Sequence, residues 1–161
     1  DWSKNSPHNL KEWSASELAK LPGYYIMDHG LNMAQQVNID MPSQEEVKSC
    51  LWLTNDELDY YYNTFHKTTF QGGLNYYRCM TNDKIRNKLK LFSNMRISVP
   101  SMFIAGKSDW GIYQKPGALE NMQINATSNY YGSHFVEGAG HWVQQEKPEE
   151  VLKLFYNFLN T

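Results

Sequence analysis

The chain has 161 residues, a formal net charge of −2 and 14% aromatic residues. That is one domain's worth of chain, enough to bury a sizeable core, and its near-neutral charge excludes the basic footprint of a nucleic-acid or anionic-membrane binder. No apolar run reaches spanning length, no secretory signal is expected at the N-terminus, and Cys50 and Cys79 form no metal-ligand or disulfide pattern; the chain leans cytoplasmic with its compartment open, and no cofactor or metal is implied.

Residues 1 to about 13 are polar and irregular, and Asp1-Trp2 carries no catalytic weight because no strand precedes it. Ser14-Ala15-Ser16-Glu17 has capping-box spacing and predicts a short helix to about Lys20. Pro22 and Gly23 end it, before an aromatic run over Tyr24 and Tyr25. A weakly patterned helix is expected from Leu31 to Ile39. Ser43 to Glu46 is a second capping box, leading a short helix to Cys50. Thr54 to Glu57 is a third, leading a helix to about Lys67 in which Leu58, Tyr61, Tyr62 and Phe65 recur at helical spacing. Phe70-Gln71-Gly72-Gly73 breaks that pattern, Leu74 to Cys79 predicts another helix, and Thr81 to Phe92 a basic one. Residues 14 to 92 thus read as all-helical, without a strand.

The pattern then changes. Val99 to Gly106 is a short apolar run closed by glycine, as expected of a buried strand. Residues 116 to 124 predict a helix entered through Pro116. Gly132 to Glu137 predicts a second strand. Pro148 to Leu159 predicts an amphipathic helix with Val151, Leu152, Phe155, Phe158 and Leu159 on one face. Strand, helix, strand, helix is a βαβ unit with a trailing helix, so the two strands should be parallel. Two parallel strands cannot bury themselves. The fold class is therefore α/β, the C-terminal portion of a doubly wound sheet whose other strands are missing.

In such a unit both strand-to-helix loops emerge at the same edge of the sheet, where ligands bind. Asp109 follows the first strand and His141 the second, 32 residues later, about one crossover apart. Gly138 and Gly140 let the backbone turn sharply beside that histidine. A carboxylate accepting from one ring nitrogen fixes the imidazole's tautomer and stabilises the imidazolium. The other nitrogen is then free to act as a general base near neutral pH.

Three segments carry a family resemblance. Val99-Pro100-Ser101-Met102-Phe103-Ile104-Ala105-Gly106-Lys107-Ser108-Asp109-Trp110 and Gly140-His141-Trp142-Val143-Gln144-Gln145-Glu146-Lys147-Pro148 together resemble the C-terminal end of an α/β-hydrolase, closest to the epoxide hydrolases. Phe70-Gln71-Gly72-Gly73-Leu74-Asn75-Tyr76-Tyr77-Arg78 resembles the lid segment of that branch, Gly-Phe-Arg-Gly-Pro-Leu-Asn-Trp-Tyr-Arg. The resemblance covers residues from about 24 onward. It implies a helical lid (cap) over residues 1–95 and the C-terminal part of the hydrolase core over 96–161.

It also implies a chemistry: opening of an epoxide to a diol through an aspartyl ester. An aspartate on the nucleophile elbow attacks an epoxide carbon, lid tyrosines stabilise the developing alkoxide, and a His-Asp pair activates the water that hydrolyses the ester. By resemblance His141 is the general base, Asp109 its orienting acid and Tyr77 one lid tyrosine, with Tyr76, Trp110 and Trp142 as pocket or core walls on the substrate side. The chain departs from the family in two places. It has neither a Gly-x-Ser-x-Gly nor a His-Asp-x-Gly nucleophile elbow, and the second lid tyrosine, expected near Pro22, has only Tyr24 and Tyr25 as nearby candidates. The expected partners are a small apolar substrate and the missing nucleophile-bearing half. Related esterase or dehalogenase chemistry, and a non-catalytic binding or structural subunit, are the alternatives.

Overall fold

The computed structural model describes residues 7–161. Asp1-Trp2 lies outside them, as does part of the irregular stretch expected before residue 13. The chain divides into two compact units, each described here by itself. One holds the described residues up to Trp52 together with Ile97–Thr161; the other is Leu53–Arg96.

In the first unit, the helices before residue 52 are α1 (Ala15–Leu18), α2 (Met33–Ile39) and α3 (Gln44–Ser49). The Ser43 box forms, with the Glu46 amide donating to Ser43 Oγ and the Glu46 carboxylate accepting from the Ser43 amide. The box expected at Ser14 does not. Ser14 makes no side-chain cap, its hydroxyl meeting Ser16 Oγ at 3.1 Å, and the reciprocal half is lost because the Glu17 carboxylate accepts from the Lys11 amide at 2.9 Å and from the Lys20 ammonium. Those two donors hold the Glu17 carboxyl below its ordinary value. A box that the sequence pattern did not flag forms at Asn32 and Gln35, starting α2.

The second unit is helical throughout its regular elements: α4 (Asn55–Thr68), α5 (Gln71–Thr81) and α6 (Asp83–Leu89), the last followed by a 3-10 turn. The Thr54–Glu57 box caps α4. Of Phe70-Gln71-Gly72-Gly73, expected to break the helical pattern, Phe70 lies in the break together with Thr69, whose φ of 58° is the left-handed region, whereas Gln71-Gly72-Gly73 occupy the first turn of α5, where glycine costs little. The basic stretch after Thr81 is split from α5 by Asn82, whose side chain accepts from the Lys84 and Ile85 amides.

Back in the first unit, β1 (Ser101–Gly106) and β2 (Tyr130–Val136) pair in parallel, with Phe103 opposite Ser133 and Gly106 opposite Val136. Pro100 has no amide to donate, which sets the start of β1 one residue later. The crossover is not the single helix expected over 116 to 124. Gly117 sits at φ 72°, so Pro116 stays outside; α7 (Ala118–Asn121) is one turn long and passes into a π-turn over Met122–Ala126. After β2 come a one-turn helix, α8 (Val143–Glu146), and α9 (Pro148–Leu159), which starts at its proline as expected.

Among the described residues the core is two clusters. Val136, Ala139, Val143 and Val151 are buried, with Ile104 and Leu154 packed against them. Leu10, Leu21 and Trp110 form the other, backed by Leu18, Tyr25 and Tyr113. This second cluster ties the early helical stretch to the late strands. It explains why the described residues up to Trp52 group with Ile97–Thr161. On α9, Val151 and Leu154 face the sheet. Leu152 and Leu159 stand about 80–100° round the helix from Val151 and are exposed, so the apolar face is narrower than expected. Among the described residues no helix is long and apolar enough to cross a membrane.

Candidate active site

The site begins with the register of the sheet. Parallel pairing brings the C-terminal ends of β1 and β2 together, and the two following loops leave from the same edge. Their roots are fastened directly. The Lys107 amide donates to the Val136 carbonyl and the Ser108 amide to the Ala139 carbonyl, both at 2.9 Å. Gly106 lies against the second loop so closely that a Cβ there would sit 2.1 Å from the Gly140 carbonyl oxygen and 2.4 Å from that of Ala139. Only glycine permits that approach. Of the two glycines beside His141, Gly138 uses its freedom, at φ 64°; Gly140 is not among the residues with positive φ.

Out of these roots come the acid and the base. Asp109 caps the 3-10 turn Trp110–Ile112, its Oδ1 accepting from the Gly111 amide at 2.8 Å. The same oxygen accepts from the Tyr25 hydroxyl at 2.9 Å. The other oxygen, Oδ2, faces Nδ1 of His141 at 3.1 Å. A carboxylate can only accept, so Nδ1 carries the proton in this contact, which in a neutral ring leaves the lone pair on Nε2. Asp109 is nearly enclosed, with its side chain 12% exposed, while the His141 side chain is 63% exposed. The imidazole thus stands open at the sheet edge and the carboxylate is sheltered behind it.

Glu146, on α8, holds the histidine loop from the other side. Its two oxygens accept from the Gly140 amide at 2.8 Å and the Trp142 amide at 3.0 Å, one residue before and one after His141. The sequence signal for this clamp is a glutamate one helical turn after the first residue of α8. Nothing in composition or spacing separates it from an ordinary surface glutamate. Tyr25 was visible only as a candidate near Pro22. Its bond to an acid 84 positions away has no local signature. Burial first, then the hydrogen bond to Asp109, pushes the Tyr25 phenol above its ordinary value, and burial does the same to Tyr24.

The remaining residues divide. Trp110 is 1% exposed and packs with Leu10 and Leu21, with the His8 ring edge-on at 5.4 Å. Of the pocket and core roles open to it, it takes the core one. Trp142 is exposed, its ring edge-on to His141 at 5.4 Å. Tyr76 and Tyr77 lie on α5 in the second unit, exposed, with their rings edge-on to each other at 5.8 Å. The structure brings Asp109, His141 and Tyr25 into contact and places Trp142 beside them. An open apolar groove lies elsewhere on the first unit, lined by Met102, Ile104, Val143, Val151, Phe155 and Phe158 among others, and does not include the acid or the base. Among the described residues no cluster of three or more His, Cys, Asp or Glu is placed to hold a metal.

No family model matches the chain. Among curated proteins it is 37% identical over 108 residues to epoxide hydrolase A of Mycobacterium tuberculosis, covering 67% of this chain and 32% of that protein. It is 34% identical over 120 residues to epoxide hydrolase 1 of Siraitia grosvenorii, covering 67% and 35%. Among solved structures it is similar to potato (Solanum tuberosum) epoxide hydrolase I, with a TM-score of 0.66 and 29% identity over 81% of this chain and 40% of that one. Epoxide hydrolase A from Mycobacterium thermoresistibile gives a TM-score of 0.60 and 38% identity over 69% and 33%. The chain therefore spans about a third of the length of the curated relatives it matches.

Proposed function

We propose, from the premise that this chain is epoxide hydrolase-like and matches the C-terminal part of an α/β-hydrolase with a helical cap, that it supplies the base and a lid tyrosine for opening an epoxide to a diol. The nucleophile is an aspartate that this chain does not contain, on a second portion of the hydrolase. In the first step that carboxylate bonds to an epoxide carbon, the carbon–oxygen bond breaks, and the oxygen takes a proton from the Tyr77 phenol. In the second step Nε2 of His141 takes a proton from water as the water oxygen bonds to the ester carbonyl carbon. The acyl–oxygen bond then breaks, the leaving alkoxide takes the proton that remains on the water-derived oxygen so that the nucleophile returns to a carboxylate and the diol leaves, and the imidazolium gives its proton to solvent water while the phenol regains one from it. Water and epoxide are consumed and one diol is formed.

The observation that carries this reading is the 3.1 Å contact between His141 Nδ1 and an Asp109 carboxylate already fixed through its other oxygen. A carboxylate held this way keeps the imidazole in the tautomer with Nε2 unprotonated and supports the charge it acquires. Splitting the reaction through an ester makes two easier steps of one, and a phenol donates to a forming alkoxide without being a strong acid. Residues 1–95 act in this reading as the lid region, Tyr76 and Trp142 as walls on the substrate side, and the substrate is small and apolar.

The test is reconstitution. The chain is coexpressed with a nucleophile-bearing N-terminal portion of a hydrolase relative, and diol formation from a model epoxide is followed. Turnover in the parent pair and its loss, by about a thousandfold or more, in His141→Gln with the fold intact is the expected outcome. Unchanged turnover in that variant removes His141 from the role.

A further inference from the structure

Three hydrogen-bond contacts converge on the Asp109 carboxylate, and they are not equivalent. The His141 imidazole takes Oδ2; the Gly111 amide and the Tyr25 hydroxyl share Oδ1. The Gly111 amide belongs to the acid's own turn and moves with it. Tyr25 is the group that references the carboxylate to another part of the chain, 84 residues earlier.

Its own position is fixed. The Tyr25 amide donates to the Pro22 carbonyl at 2.9 Å, closing a turn. The ring is half-buried against the Leu10, Leu21 and Trp110 cluster, with the Tyr24 ring 5.0 Å away. Packing alone would be served by phenylalanine. The hydroxyl is directed to the inner oxygen of the acid that faces the histidine.

We infer that Tyr25 is a positioning residue for the acid–base pair: its hydroxyl holds Oδ1 of Asp109 so that Oδ2 is presented to His141 Nδ1. This rests on the reading of Asp109 and His141 as the base-orienting pair. Because a carboxylate rotates about its Cβ–Cγ bond, a donor on one oxygen sets the plane of the other, in the way that outer hydrogen bonds orient a ligating or catalytic group. The Tyr25 phenol is also kept protonated by its burial and by the acid beside it, so it stays a donor across the working pH range. The helical stretch before Trp52 thereby takes part in setting the tautomer of a base that lies at the far end of the chain.

The test reads the tautomer and needs no nucleophile. The protein is labelled with 15N at histidine, and the ratio of Nδ1–H to Nε2–H forms of His141 is read from its ring nitrogen shifts at pH about 9, where histidines are neutral. Free histidine prefers the Nε2–H form, so an excess of Nδ1–H reports the contact with Asp109. Tyr25→Phe is expected to lower that ratio at least about threefold, the scale of one lost bond in a cooperative network. Leu10→Ala, which loosens the same cluster but leaves the hydroxyl, is expected to lower the melting temperature and leave the ratio in place. Asp109→Asn is expected to abolish the Nδ1–H excess. If Asp109→Asn shifts the ratio and Tyr25→Phe does not, the positioning role is overturned and the pair stands. If Leu10→Ala shifts it as much as Tyr25→Phe, general loosening explains the effect and the role is again overturned. If Asp109→Asn leaves the ratio unchanged, the pair itself fails, and the proposed function with it.

Discussion

Gly106→Ala is the substitution for which the structure gives the sharpest outcome. A Cβ built at Gly106 meets the Gly140 carbonyl oxygen at 2.1 Å, the Ala139 oxygen at 2.4 Å and the Ala139 carbonyl carbon at 2.5 Å. A carbon–oxygen contact needs about 3.3 Å, so the second loop must retreat by about 1 Å or more. All three atoms are backbone, and no side chain can swing away instead. The retreating segment carries the carbonyl that accepts from the Ser108 amide and lies immediately before His141. Overpacking of this kind costs about 1–3 kcal/mol, and weakening one backbone hydrogen bond adds about 1 kcal/mol. The expected total is about 3 kcal/mol, or a melting temperature lower by about 6–12 °C for a chain of this size. Thermal unfolding followed by circular dichroism measures it, and the His141 tautomer ratio should fall with it. Two neighbours calibrate the result. For Gly140→Ala the nearest atoms are those of the Glu146 carboxylate, from 3.3 Å, and it should cost less than about 1 kcal/mol. Gly138→Ala meets only an ordinary contact, the Lys147 side chain at 3.7 Å, but has a φ of 64°, and should cost about 1–2 kcal/mol. A Gly106→Ala protein that melts within about 1 °C of the parent, or no lower than Gly140→Ala, would refute the close approach of strand end and loop.

Other perturbations have outcomes as definite. Val151→Ala removes the α9 anchor from the Val136, Ala139 and Val143 cluster and should cost about 1.5–3 kcal/mol in denaturant unfolding. Glu146→Ala frees the Gly140 and Trp142 amides; amide exchange at those two positions should quicken about tenfold, the equivalent of about 1.4 kcal/mol, with little effect on exchange in β1. Tyr25 titrates in the folded protein above its ordinary value of 10.0. Its contribution to stability is therefore complete below pH 10 and is lost as pH rises through the folded value. The parent's melting temperature should fall more steeply above pH 10 than that of Tyr25→Phe; parallel curves would count against a protonated Tyr25 bonded to the acid.

What the sequence discloses, and what it hides, divides by range. The boxes at Ser43 and Thr54 are legible because both partners of each reciprocal bond lie within four residues. The Asp109–His141 contact is legible although the two are 32 residues apart, because parallel pairing leaves the intervening chain no choice about which edge its ends share. Ser14 misleads because Glu17 has a better-placed donor in Lys11, outside the four-residue window. Gly72 and Gly73 mislead because a glycine pair weakens a helix interior and is tolerated in a first turn. Trp110 reads as a pocket or core wall by adjacency to Asp109, and what places it in the core is distant in sequence: Leu10 and Leu21, with Tyr25 and the His8 ring beside them. Tyr25 is hidden for the same reason. Its role depends on a fold-back that no periodicity records.

The fastening of the two loops at their roots separates geometry from length. Lys107 and Ser108 are tied to Val136 and Ala139, and Gly106 seats against the segment just before His141, so the distance from acid to base is set within a few residues of each strand end. The one-turn helix and π-turn between the strands contribute no bond to Asp109 or His141. That connector is consequently the place where residues can be inserted, deleted or exchanged for a homologue's while the distance from Asp109 to His141 stays as it is. A library varied there would sample surface and dynamics while leaving the Asp109–His141 contact as a constant.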